Sequence, residues 1–229
     1  MCGIFGFLST DGRGPELARL RRIAAETETR GRHAFGLVWI DAHGQLHAFK
    51  RPGAASDDLD DLELCRGCQA MIGHCRWATR GDPQENRNNH PHFAGRGWLV
   101  HNGVVRNYDA LVRRYRFRLR SDCDSEVFCH LMMQSGGSIL QRACWAVRQA
   151  EGSLAILGLW ANPLRMLVVR RGRPLAVATT RRGHYFASLP RELPASPRPV
   201  NDNFAAVYFS QSGLLRQQCV SLPPETALC

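Results

Sequence analysis

Apolar positions along the chain fall into two alternating rhythms. Residues 4–8 are apolar apart from Gly6, as expected of a strand buried on both faces. Leu17, Leu20, Ile23 and Ala24 then recur at helical spacing, with Pro15 near the first turn and Gly31 as punctuation after the last. Segments 36–40 and 46–50 flank Asp41-Ala-His-Gly44 and read as a β-hairpin. Strands are expected over 71–77 and 98–101, separated by a polar stretch from Arg80 to His92 that is rich in Asn, His and Pro. Helices follow over 125–134 and 139–149, with Gly136-Gly137 breaking the chain between them. Segments 153–159, 166–170 and 174–178 are apolar enough for buried strands, and 205–209 and 220–228 add two more. The Pro-rich segment 189–199 reads as a surface loop. Strands, then helices, then strands suggest one α+β domain with layered sheets.

One further segment has a two-residue rhythm. Arg114, Arg116, Arg118 and Arg120 alternate with Tyr115, Phe117 and Leu119, so a strand there would carry one basic and one apolar face. Arginines interleaved with aromatics suit nucleic-acid stacking, but better suit a strand with its aromatics in the core and its arginines facing water or an acidic partner. The net charge of +10 over 229 residues keeps nucleic acid among the partner classes. Its composition weakens that reading: Lys50 is the sole lysine, and so strong a bias to arginine also arises from coding preference.

Composition narrows the remaining classes. With 44% hydrophobic and 22% charged residues, the chain is neither disordered nor collagen-like. No apolar run reaches the roughly 18–20 residues of a membrane span. The apolar start lacks the basic opening and the length of a secretory signal, so the nine cysteines are expected to be reduced and the protein cytoplasmic. Cys65-Arg-Gly-Cys68 is a single CxxC, and His74 lies too far along to complete a standard zinc spacing.

Cys2 carries the most chemical information. Removal of Met1 would place a thiol and a free α-amine on one residue. With an ordinary pKa of about 7.7–8.0, that amine can take the thiol proton directly or through water. Alone, Cys2 fits a buried structural cysteine, or an accidental second residue, better than a nucleophile. Downstream motifs change the balance. Gly73-His-Cys-Arg-Trp-Ala-Thr-Arg-Gly81 offers Arg76 for two-pronged contact with a carboxylate. His101-Asn-Gly-Val-Val-Arg-Asn-Tyr108 sets the Asn102 amide beside the Gly103 N–H, a pair suited to a developing oxyanion. Asp124 precedes a helix, where the bland role is an N-cap.

Taken together these motifs resemble the glutaminase domain of class II glutamine amidotransferases, most closely that of the glucosamine-6-phosphate synthase branch. The matching pieces, in family order, are Cys2-Gly-Ile-Phe-Gly6, Arg30-Gly31 with Gly36, Gly73 to Gly81, Asn89-His-Pro-His92, His101-Asn-Gly103 and Asp124-Ser-Glu-Val127. The resemblance implies a four-layer αββα N-terminal-nucleophile hydrolase fold, with two antiparallel sheets between helical layers. It implies that Cys2 attacks the side-chain amide of L-glutamine, that Asn102 and Gly103 form the oxyanion hole, and that Arg76 and Asp124 hold the α-carboxylate and α-ammonium. Trp77 and Thr79 would lie in a loop closing over glutamine, with Arg30, Gly31 and Arg80 in support. No cofactor or metal is called for.

Departures from the family pattern occur at Arg80, where a histidine is usual, at His33, where an aspartate is usual, and at Cys75, where a threonine is common. Residues 1–229 read as a single glutaminase domain with no synthase domain attached, so a separate ammonia-accepting synthase subunit is the expected partner. The alternatives are a γ-glutamyl-compound hydrolase that transfers no ammonia, and a binding module that retains the fold with weak catalysis.

Overall fold

The computed structural model describes residues 1–211 and 214–222. It opens with strand β1 (Gly3–Ser9), helix α1 (Leu17–Glu28) and the hairpin β2 (Ala34–Ile40) and β3 (Leu46–Pro52). After two short 3-10 turns come β4 (Ala70–Arg76), the two-residue β5 (His92–Phe93) and β6 (Gly97–Gly103). The helices α2 (Tyr108–Tyr115), α3 (Ser125–Gln134) and α4 (Ile139–Gln149) form a block. Strands β7 (Leu154–Trp160), β8 (Arg165–Arg171), β9 (Ala176–Thr179), β10 (Gly183–Ala187), β11 (Arg198–Pro199), β12 (Phe204–Gln211) and β13 (Leu214–Ser221) complete the order.

The strands build two sheets, ordered β11-β9-β10-β1-β4-β2-β3 and β13-β12-β8-β7-β6-β5, with antiparallel neighbours throughout. Period-two alternation assigns each side chain to a layer. On β1, Phe5 and Phe7 face the α1 side, while Ile4 and Leu8 enter the core between the sheets. On β7, Leu154 and Ile156 pack beneath α3 and α4, while Ala155, Leu157 and Leu159 join that inter-sheet core. Both strands are therefore buried on both faces, which is why they read as nearly continuous apolar runs. α1 lays Leu20, Ile23 and Ala24 on the first sheet, with Leu17 half-buried beside them. The result is the four-layer αββα sandwich expected of the fold class. Among the described residues, no helix is long and apolar enough to cross a membrane.

Two expectations need correction. The basic-aromatic segment is not a strand: α2 occupies Tyr108–Tyr115, and Arg116 ends it in the left-handed region at φ 53°. Tyr108, Leu111, Val112 and Tyr115 recur at helical spacing, and all pack on the cluster beneath α3 and α4. That stripe outweighs the shorter two-residue alternation. Phe117 and Leu119 also turn toward this cluster, so the aromatics serve the core rather than a basic stacking face. The last described strand is β13 rather than 220–228, of which residues 223–229 lie outside the described part. The 189–199 segment has neither helix nor strand over 189–197, as expected of a loop, and only Arg198 and Pro199 pair with β9 at a sheet edge, where a proline is tolerated.

Candidate active site

Cys2 sits at the start of β1, half-buried against the end of β4. The Trp77 N–H donates to Cys2 Sγ at 3.4 Å, and the thiol lies 3.4 Å from the Trp77 carbonyl. Arg30 Nε donates to the Cys2 carbonyl at 2.7 Å, which fixes the backbone behind the candidate nucleophile. Gly31 is required here by close approach, because any Cβ would collide with the backbone of Arg76 and Trp77. Burial pushes the Cys2 thiol up from its ordinary value; the Trp77 N–H, the chain's terminal ammonium and Arg76 oppose this, and Asp124 adds to it. Arg76 and Asp124 thus lie within electrostatic reach of Cys2.

Asn102 lies near the end of β6, in the facing sheet. His74 Nε2, from β4, meets the carbonyl of the adjacent His101 at 3.2 Å and ties the two sheets together there. His101 Nδ1 in turn meets Ser125 Oγ at 2.8 Å. Asn102 is 1% exposed, yet its Nδ2 has no acceptor within hydrogen-bonding distance. A buried amide donor left unpaired costs about 1–3 kcal/mol, and such a donor suits an oxygen that gains charge during a reaction. Gly103 follows, where a Cβ would strike the Ser153 carbonyl and the His101 ring.

The two expected clamps are both buried. Asp124 stands at the N-cap position of α3 but makes no capping bond with its side chain. Its Oδ2 instead accepts from the Val105 N–H at 2.7 Å, which aims the carboxylate toward the end of β6. Helix α3 is secured by Glu126, which accepts from the N–H groups of Arg120 and Ser121 and from Ser121 Oγ. Burial alone would raise the Glu126 pKa, but these bonds and His130 together hold it down at about 2.

Arg76 is occupied by the loop that follows it. Nη1 donates to Asn89 Oδ1 at 2.7 Å, and Nη2 to the carbonyls of Arg80 and Gly81 at 2.5 and 2.9 Å. Of the five guanidinium N–H groups, three therefore shape the loop. Within it Trp77 is 48% exposed and Thr79 is exposed. Arg80 reaches across to α2, its guanidinium 4.1 Å over the Tyr108 ring and 3.3 Å from Asp109 Oδ1.

His33 is a loop-positioning residue that sequence reasoning marked only as a departure. Its Nδ1 accepts from the Ala78 N–H at 3.0 Å, and its ring stacks on Trp77 at 4.7 Å. Asn89, Tyr108 and Asp109 were likewise assigned no role. For Asn89 a signal existed in the Asn89-His-Pro-His92 motif, whereas the α2 contacts had none, because α2 itself was not anticipated.

Comparison with known proteins places this geometry. A glutamine amidotransferase domain profile matches residues 57–221. The chain belongs to the class II glutamine amidotransferase domain family. This amidotransferase domain is 35% identical over 190 residues to a glutamine–fructose-6-phosphate aminotransferase (isomerizing) of Yersinia pestis, covering 77% of this chain and 30% of that protein. It is 36% identical over 185 residues to the enzyme of that name from Symbiobacterium thermophilum, with the same shares. The domain thus spans under a third of these relatives. Among solved structures it resembles the Bacillus subtilis glutamine phosphoribosylpyrophosphate amidotransferase with a TM-score of 0.78 at 21% identity, over 95% of this chain and 49% of that one. A class II domain protein from Silicibacter pomeroyi gives 0.61 at 15% identity, over 97% and 100%. Both likenesses concern the fold, which is that of the N-terminal-nucleophile amidotransferases.

Proposed function

We propose that this domain hydrolyses the side-chain amide of L-glutamine to glutamate and ammonia, with Cys2 as nucleophile once Met1 is removed. The single observation that best supports this is the buried, unpartnered Nδ2 of Asn102 at the end of β6, on the sheet that faces the Cys2 strand. In this reading the freed α-amine of Cys2 takes the thiol proton and Sγ attacks the amide carbon. The oxyanion that forms is met by Asn102 Nδ2 and the Gly103 N–H. Cleavage of the C–N bond returns the proton to the departing nitrogen and leaves a γ-glutamyl thioester. Water adds to that thioester, releasing glutamate and restoring the thiol.

Recognition follows the charges of glutamine. Arg76 retains Nε and one Nη1 proton for the α-carboxylate while its other donors hold the loop, and Asp124 Oδ1 faces the α-ammonium. Trp77 and Thr79 cover the site, and Arg30 and Gly31 seat the nucleophile. The ammonia passes to a separate synthase subunit docked over the 76–81 loop.

A glutaminase assay on Met1-processed protein, with and without proteins that co-purify with a tagged copy, tests the reading. The expected result is glutamate release that rises when the partner is restored. Hydrolysis of γ-glutamyl peptides without release of ammonia from glutamine would favour the hydrolase alternative. Full activity in a strictly monomeric protein would contradict the synthase partner.

A further inference from the structure

We propose that His90, His92 and Cys123 form a buried, three-coordinate binding site for a thiophilic metal ion, with Cu⁺ favoured over Zn²⁺. This goes beyond the glutaminase reading and does not depend on it. Each residue offers one ligand atom, and those atoms lie within 4.8 Å of one another. All three residues are under 5% exposed. Both ring nitrogens of His90 and Nε2 of His92 are buried without any hydrogen-bond partner. His90 uses its ring faces instead, stacking on His74 at 3.9 Å and meeting the edge of His92 at 4.6 Å. Neutral imidazoles whose lone pairs lack a partner, beside a thiol, are a soft donor set.

Coordination number and charge narrow the choice of ion. The gap that His90 and His92 share with His101 and Ser125 is too narrow for a water molecule, so no solvent ligand enters from that side. Ligands about 2.0–2.3 Å from one ion stand about 3.5–4 Å apart, so the donors close by up to about 1 Å on binding. Lys50, Arg76 and Glu126 lie within electrostatic reach of His92, and Arg76 and Asp124 within reach of Cys123, so the surrounding charges nearly cancel. With the Cys123 thiolate, Cu⁺ gives a neutral centre, whereas Zn²⁺ leaves one net positive charge in a buried site. Binding displaces the thiol proton to solvent, one per ion. His92 also lines a cavity of about 290 Å³ with Lys50, Glu126, His130 and Met133, which supplies a path for entry.

The placement has a structural consequence. His90 follows Asn89, the partner of Arg76, and Cys123 precedes Asp124. An ion shared by these segments would join the supports of both candidate clamps.

The test is an anaerobic titration of the full chain with Cu⁺, and separately Zn²⁺, against a chromophoric competitor, followed by X-ray absorption of the loaded protein. The expected result is one Cu⁺ per chain, one proton released, and a shell of one sulfur and two imidazole nitrogens. Cys123→Ser and His92→Gln should each weaken binding by about 100-fold or more, while their metal-free thermal melts match the parent. If either variant fails to fold, the shell and proton count of the parent still decide. A two-sulfur shell, unchanged affinity in folded variants, or no bound ion would overturn the proposal. Tighter binding of Zn²⁺ with the same shell would overturn the assignment to Cu⁺.

Discussion

Asn102 and His33 make opposite uses of a polar side chain. Asn102 keeps a buried donor without a partner, while His33 commits its acceptor to the Ala78 N–H. Replacing Asn102 with Ala removes the donor without adding bulk. In steady-state glutaminase kinetics kcat should fall about 100- to 1000-fold with little change in KM, the signature of an interaction made only in the transition state. An unchanged kcat would remove Asn102 from the oxyanion hole. His33 supports the loop, so its variants separate acceptor from ring. His33→Asn keeps an acceptor and should retain most activity, whereas His33→Phe keeps only the stacking on Trp77 and should raise KM several-fold. These two residues also mark what was legible at this scale. Amide beside glycine is a chemical pattern visible in sequence. The His33 bond joins residues 45 positions apart, and its partner is a backbone N–H that every residue but proline carries.

The decisive element is the loop that leaves β4, pinned at one end by Arg76 and at its far side by Arg80 on α2. The Arg80–Asp109 pair is exposed on both sides and contributes at most about 1 kcal/mol, so the strap can open for substrate. Arg80→Ala should raise KM for glutamine by a few-fold and leave kcat nearly unchanged, and Asp109→Ala should do so more weakly because Arg80 keeps its stacking on Tyr108. Equal losses in kcat would instead assign Arg80 to the chemistry. Strands such as β1 and β7 were readable because burial on both faces leaves continuous apolar runs, and α3 and α4 because Gly136-Gly137 breaks the chain between them. Helix α2 was obscured by its arginines, which create a local alternation at the C-terminal end of a helical stripe. β10 was obscured by its mixed composition, with Gly183 and His184 opening a strand whose pairing with β1 is set 174 residues or more away in sequence.

At the scale of the whole molecule, the buried histidines on and beside β4, β5 and β6 set the response to acid. Burial holds His74 and His90 well below the ordinary histidine value, His92 at about 3 and His101 at about 4. The unfolded chain takes up these protons below about pH 6.5 and the folded chain does not, so stability must fall as pH drops from about 6.5 toward 4. Each such histidine contributes a slope of about 1.4 kcal/mol per pH unit within its window. Glu126, held at about 2, acts lower: its stabilising contribution is complete above about pH 4.5 and is lost as pH falls toward 2. Thermal melts should therefore be level between about pH 7 and 8 and descend from about 6.5 downward, and a melt unchanged down to pH 4 would contradict neutral burial of these rings.

The net charge has no comparable place in this account: Arg30 and Arg76 hold Cys2 and its loop, while arginines such as Arg21, Arg51 and Arg171 bind carboxylates or backbone carbonyls elsewhere in the fold. The central claim is that Cys2 attacks glutamine. Rapid quenching of Met1-processed protein with L-glutamine, followed by peptide mass spectrometry, tests it most directly. A γ-glutamyl group on the Cys2 peptide, absent in Cys2→Ala and accompanied by released glutamate, is the predicted result. Glutamate released at the same rate by Cys2→Ala, with no adduct on Cys2, would contradict it.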